Sequence, residues 1–256
     1  MNTESPVLYD VRDGVATVEL NRPDVSNALD QGLCVALLRA VEAAADDASV
    51  RVLLLLGRGK LFCAGGDVSG MAASDDRARY LQDLAEAAHE AVRALDRLEK
   101  PVLAGVQGAA AGAGLAFTLS ADLVVAGESA RFLTAYTALG LTPDSGLSWL
   151  LPRAVGLRRA LEMTLTNRRL TAAEAVEWGL VTSTCPDDEV AGFARALAEQ
   201  MATGPSHAFG QSRSLLRSAH GRSLDEHLDL EARTISAAST TPEAGALIDA
   251  FVRGRR

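Results

Sequence analysis

Aromatic residues make up only 4% of this 256-residue chain. Its core must therefore be built from aliphatic side chains, and with 48% apolar residues and abundant alanine the composition fits a helix-rich α/β protein. Cysteine is scarce as well. Cys34, Cys63 and Cys185 are odd in number, far apart and without C-x-x-C spacing. That excludes a disulfide framework and argues against a metal centre, so a reducing cytoplasm is the expected location. Positive charge is in deficit, with 25 Lys+Arg against 33 Asp+Glu and a net charge of −8. Nucleic acid is not the expected partner, although a small anionic ligand needs only local positive charge. The opening MNTESPVLYD carries neither the basic nor the apolar region of a signal peptide. One uncharged stretch, 101–121, is long enough for a membrane span. It is mostly Ala and Gly, with Gln107, Thr118 and Ser120 inside it, and reads as a buried strand, turn and helix.

What remains is a regular alternation of patterns. Val7–Arg12 and Val15–Leu20 alternate around Gly14 as a hairpin. Asp30 can cap a helix whose Leu33, Leu37, Leu38 and Val41 follow helical spacing. Residues 51–57 form a continuous apolar strand of the kind buried on both faces of a parallel sheet. Leu81, Leu84, Ala88, Val92 and Leu95 make one stripe of a helix ending near Glu99, and strands follow at 102–106 and 123–126. Strands and helices in this order imply right-handed crossovers and a mostly parallel core. Thr171 and Glu174 form a capping box for a helix that stops at Gly179. After Val181 the strand pattern ceases, and helices are expected at 188–202, 206–219, 223–238 and 243–253. The chain thus divides into an α/β core, 1–195, and a helical region, 196–256, suited to oligomerisation. Trp149 and Trp178 are expected in the core, and Cys63 as a small buried residue.

Two glycine-rich turns carry the chemistry. In 51–67 (RVLLLLGRGKLFCAGGD) and 101–122 (PVLAGVQGAAAGAGLAFTLSAD), an apolar strand runs into residues with little or no side chain. Gly65-Gly66 and Gly112-Ala113-Gly114 would each present bare N–H groups at the start of a helix. Two such donors converging on one carbonyl suit an acyl compound whose oxygen gains negative charge, and each can contribute about 3 kcal/mol in the transition state. The sequence GRGK at 57–60 is not a phosphate loop, because the earlier glycine and the following Ser or Thr are missing.

At these residues the chain resembles the crotonase (enoyl-CoA hydratase/isomerase) superfamily. The likeness covers LNRPDVSNAL at 20–29, LFCAGGDV at 61–68, KPVLAGVQGAAAGAGLAFTLSADLVVA at 100–126, LGLTPDSGLSWLLPRAVG at 139–156 and LTAAEAVEWGLV at 170–181. The resemblance implies an α/β spiral of ββα units with a C-terminal helical region that builds homotrimers, often paired into hexamers. It implies an acyl-CoA thioester substrate and no cofactor beyond its coenzyme A moiety. By position the donor amides are those of Gly66 and Ala113. Ala64, Asp67 and Val68 around the first turn, together with Arg22, are expected along the bound thioester. Asp67 is expected mainly to brace the turn. Arg22, Arg58, Lys60, Arg253, Arg255 and Arg256 are candidates for the coenzyme A phosphates, whereas Val25-Ser26 stands where the family usually has a basic residue.

Departures from the family pattern are informative. Enoyl-CoA hydratases carry two glutamates, at the positions of Ala116 and Tyr136 here. Adding water needs one group to activate it and another to protonate the α-carbon, and neither residue replaces a carboxylate base at neutral pH. Asp144, in Thr142-Pro143-Asp144-Ser145-Gly146, is the carboxylate that remains, at a position where several isomerase branches place their catalytic aspartate. A single base there could take a proton from one carbon and return it to another, shifting a double bond. The stretch 101–189 also resembles the 4-chlorobenzoyl-CoA dehalogenase branch, with a nucleophilic aspartate at Asp144, a histidine base at His89 and a tryptophan at Tyr136. That branch has phenylalanine where this chain has Gly66. Isomerase chemistry is favoured, hydration by an unusual acid–base pair and aspartyl dehalogenation or thioester hydrolysis follow, and a non-catalytic acyl-CoA-binding protein is the competing class.

Overall fold

The computed structural model describes residues 5–254. The hairpin β1 (Val7–Arg12) and β2 (Val15–Leu20) leads into α1 (Gln31–Asp46) and β3 (Val52–Gly57). Next come α2 (Val68–Ala73), α3 (Arg77–Arg97), β4 (Val102–Val106), β5 (Ala109–Ala111) and α4 (Ala113–Ser120). β6 (Leu123–Gly127), β7 (Arg131–Leu133), α5 (Leu147–Val155) and α6 (Leu157–Thr166) follow. The chain continues through β8 (Leu170–Thr171), α7 (Ala172–Glu177) and β9 (Ser183–Cys185) to four last helices. These are α8 (Val190–Ala202), α9 (Ser206–Ser218), α10 (Leu224–Ser239) and α11 (Pro242–Arg253).

Six strands form one sheet in the order β1-β2-β3-β4-β6-β9, parallel except for the β1–β2 hairpin. A smaller sheet, β5-β7-β8, stands beside it. β3 shows how the core divides. Leu53 and Leu55 enter one apolar cluster, whereas Val52, Leu54 and Leu56 enter another, the period of two expected of a strand covered on both faces. The first cluster contains Leu33, Leu37 and Val41 of α1, Leu84 and Leu95 of α3, and Phe117 of α4. The second is closed by Val190, Ala194, Ala198 and Ala202, one stripe of α8. Each fully buried leucine contributes roughly 1.5–3 kcal/mol of transfer free energy.

Local capping agrees with the sequence. The Asp30 carboxylate accepts from Leu33 N–H at 2.8 Å, and Thr171 and Glu174 form the reciprocal box at the start of α7. The stretch 101–121 contains β4, β5 and α4, and no described helix is long and apolar enough to cross a membrane. Three expectations need correction. The strand pattern does not end at Val181, because β9 pairs parallel with β6; three residues before Pro186 are too few to reveal a period. Trp149 is half-exposed, with the Arg153 guanidinium 3.6 Å above its ring; only Trp178 is buried. Residue 195 lies inside α8, so the elements that cover the sheet run to Ala202.

The helices after that are of two kinds. α9 is fastened to the core by the buried Arg213, which donates to the carbonyls of Leu95, Asp96 and Leu98 at 2.5–2.8 Å and pairs with Asp122. α10 and α11 contain no buried residue, and Leu228, Ile235, Leu247 and Phe251 face outward.

Candidate active site

The first turn is shaped from beneath by one side chain. Asn27, fully buried, donates from Nδ2 to the carbonyls of Arg58, Leu61 and Phe62 at 2.9–3.0 Å, and its Oδ1 accepts from Arg22 N–H at 2.8 Å. The turn then meets Leu29 in a parallel bridge. Leu29 N–H donates to Gly65 O at 2.7 Å, and Asp67 N–H donates to Leu29 O at 2.8 Å. Those bonds straddle Gly66, so its own N–H points to the opposite side. The Asp67 carboxylate caps α2 by accepting from Gly70 N–H at 3.0 Å, which braces the turn as expected.

The second turn is held by backbone alone. Cys63 N–H donates to Ala109 O and Ala111 N–H to Cys63 O, so β5 runs beside the first turn. Gly112 N–H donates to Leu133 O at 3.1 Å, and Ala113 opens α4, where helical N–H groups have no internal partner. The two turns touch. A Cβ added to Gly65 would stand 3.0 Å from Ala111 O and 3.6 Å from Gly112 Cα. Among the described residues neither Gly66 N–H nor Ala113 N–H has an acceptor, and both residues line one cavity of about 300 Å³. Helix α4 directs its positive end to the same place.

Asp144 lines the same cavity. Its Oδ1 accepts from Tyr136 Oη at 2.5 Å and from Ser145 Oγ at 2.9 Å. Ala135 and Ser145 have φ of +65° and +52°, rare for residues with side chains, and both line the cavity. Burial, and then the neighbouring Asp144, push the Tyr136 phenol well above its ordinary value, so Tyr136 keeps its proton and donates it. Much of the remaining wall is apolar, from Leu29, Met71, Leu81, Leu84 and Ala88, with Gln82, Thr134 and Thr142 as its polar members.

Of the other expected residues, some line this cavity and some do not. Ala64 and Val68 line the cavity with Asp67. Arg22 is absent from the lining; it pairs with Asp30 at 2.9 Å and donates to Ala28 O, within the bracing of the first turn. His89 is absent from the lining; its Nε2 accepts from Ser145 N–H at 3.2 Å, behind the Asp144 turn. Cys63 is buried, which pushes its thiol up to about 12, and its Sγ donates to Asn27 O. Ala116 is fully buried in α4 and does not line the cavity. Lys60 and Arg253 are exposed, and Arg255 and Arg256 lie outside the described residues. Sequence reasoning missed Leu29, Ala135 and Ser145. Ser145 could have been found beside Asp144, but nothing in hydropathy marks the other two.

A family model described as enoyl-CoA hydratase/isomerase matches residues 10–255. The chain belongs to the enoyl-CoA hydratase/isomerase family. Its fold is the crotonase fold, as the resemblance implied: a crystal structure of enoyl-CoA hydratase from Mycobacterium smegmatis superposes with a TM-score of 0.92 at 31% identity, over 99% of this chain and 98% of that one. Among relatives of this family member is 1,2-epoxyphenylacetyl-CoA isomerase of Escherichia coli, 38% identical over 88% of this chain and 87% of that protein. Another is 4-chlorobenzoyl coenzyme A dehalogenase-2 of an Arthrobacter species, 33% identical over 94% of this chain and 88% of the relative. Isomerase, hydratase and dehalogenase names therefore all occur at similar identity, and the residues of the cavity must discriminate among them.

Proposed function

We propose that this family member acts on an acyl-CoA thioester and shifts the double bond of an enoyl-CoA. The Gly66 and Ala113 N–H groups form the oxyanion hole, and Asp144 is the base. One observation carries the reading: the cavity that receives two unpartnered N–H groups is faced by a carboxylate held by two hydroxyl donors. Asp144 takes a proton from the α-carbon while the C–H electron pair moves toward the thioester oxygen, which becomes an enolate bound by the two amides. The protonated carboxyl then returns the proton to the γ-carbon as the electron pair re-forms the carbonyl. Nothing is added or lost, so no cofactor beyond the substrate's coenzyme A is required.

Hydration is less well supported, because Ala116 and Tyr136 stand where hydratases carry their two glutamates, and the one other cavity carboxylate, Asp67, is engaged in capping α2. Aspartyl dehalogenation or thioester hydrolysis would need His89 as a base on the cavity side, and its Nε2 lone pair is engaged by Ser145 N–H. The outward apolar residues of α10 and α11 suit association into a homotrimer or a hexamer of paired trimers.

Asp144→Asn tests the assignment, with a 3-enoyl-CoA and a 2-enoyl-CoA supplied in parallel. The parent is expected to isomerise the 3-enoyl ester, and the variant to lose at least about a thousandfold in kcat. Equal activity of variant and parent would overturn the base. Water addition to the 2-enoyl ester would point to hydration, chloride release from a haloaroyl-CoA to dehalogenation, and binding without turnover to a non-catalytic acyl-CoA-binding protein.

A further inference from the structure

Both hydroxyl donors on Asp144 fall on the same oxygen, Oδ1. Among the described residues no donor reaches Oδ2. We infer that Tyr136 is the positioning residue of Asp144: its hydroxyl, with that of Ser145, occupies Oδ1 and leaves Oδ2 as the oxygen that exchanges the substrate proton. This assignment rests on the reading of Asp144 as the base and adds what sets its orientation.

The supporting geometry is layered. Tyr136 follows Ala135, whose left-handed backbone turns the ring into the cavity, where Tyr136 also lies close to the second glycine turn: a Cβ on Gly112 would stand 3.6 Å from its Cζ. Ser145, left-handed as well, is fixed by a bond from its N–H to His89 Nε2 at 3.2 Å. His89 thus acts two bonds back, holding the turn that holds the carboxylate. A carboxylate free to rotate would present either oxygen; one anchored through Oδ1 presents one, at a constant angle to the bound carbonyl. A single oxygen that both removes and returns the proton keeps the transfer on one face of the substrate.

Loss of either donor frees the carboxylate to rotate, so it should lower kcat more than it changes KM. The titratable groups around Asp144 are Tyr136, Cys34 of α1, His89 of α3 behind Ser145, and Asp67 across the cavity. Cys34 is held neutral by burial, up to about 12. Tyr136→Phe removes one donor and little volume. We expect kcat to fall about tenfold and KM to change less than about twofold. Ser145→Gly removes the other donor at a φ that glycine adopts freely, so it folds even if the tyrosine variant does not. Its kcat should also fall, again with KM nearly unchanged.

Asp144→Asn, measured alongside, separates the possible failures. If Asp144→Asn is inert while Tyr136→Phe and Ser145→Gly keep the parent's kcat, the positioning role is wrong and the base assignment stands. A Tyr136→Phe effect confined to KM would also overturn it, because that is the signature of lost substrate contact. If Asp144→Asn retains full activity, the base assignment fails and this inference fails with it.

Discussion

The two turns that face the cavity are held by opposite means. Around Gly66, polar side chains do the holding: the Asn27 amide beneath, the Asp67 carboxylate at the start of α2, and Arg22 joining Asp30 nearby. Around Ala113 no side chain caps the helix, and the backbone is wedged in place by residues that have almost no side chain. A turn held by hydrogen bonds weakens in steps as partners are removed. A turn held by close packing tolerates nothing until it fails, because interiors are already at crystal-like density. The donors should therefore respond differently to damage.

The largest effect is expected on the wedged side. A Cβ on Gly114 would stand 2.6 Å from the Cys63 carbonyl oxygen and 2.9 Å from its Sγ. Gly114→Ala should cost about 3 kcal/mol, lowering the thermal midpoint by roughly 6–12 °C in calorimetry. In an open helix the same change would gain nearly 1 kcal/mol. A stabilised variant would mean that the turns are not pressed together. Next comes Asn27→Ala, which leaves buried carbonyls without donors; about 2 kcal/mol should be lost in urea unfolding. Its kcat should fall as the Gly66 turn loosens.

Gly65→Ala sits between the two mechanisms, since φ is +98° and the new methyl meets Ala111 O at 3.0 Å. A loss of about 1.5 kcal/mol is expected, together with a drop in kcat, because the Gly66 amide must shift. Asp67→Ala should be mildest, about 1 kcal/mol for a lost helix cap, with Asp67→Asn restoring most of it. If Asp67→Ala instead abolishes turnover without loss of stability, the carboxylate takes part in the chemistry and the contrast between the turns is misdrawn.

Much of this was legible in the chain because it is local. The hairpin around Gly14, the Asp30 cap, the uninterrupted apolar run of β3 and the Thr171–Glu174 box are each set by residues within one turn or one strand of each other. The glycine turns could be read as donor-bearing for the same reason. What escaped depends on contacts distant in sequence or on elements too short to have a period. β5, β7 and β8 have two or three residues each. Leu29 matters only because it bridges to Gly66, and Ala135 only because its φ is positive. His89 looked like a base by position; whether a ring nitrogen is available depends on a bond to Ser145, 56 residues away. Trp149 looked apolar enough to bury, yet the stacked Arg153 keeps it at the surface.

One long-range contact reaches into how the molecule is made. The last carbonyls of α3 have no helical partner, and Arg213 supplies their donors. α3 also forms a wall of the cavity through Leu81, Leu84 and Ala88. During synthesis, the ribosome must therefore release more than a hundred further residues before that wall can be locked. One wall of the cavity waits on a helix that does not line it.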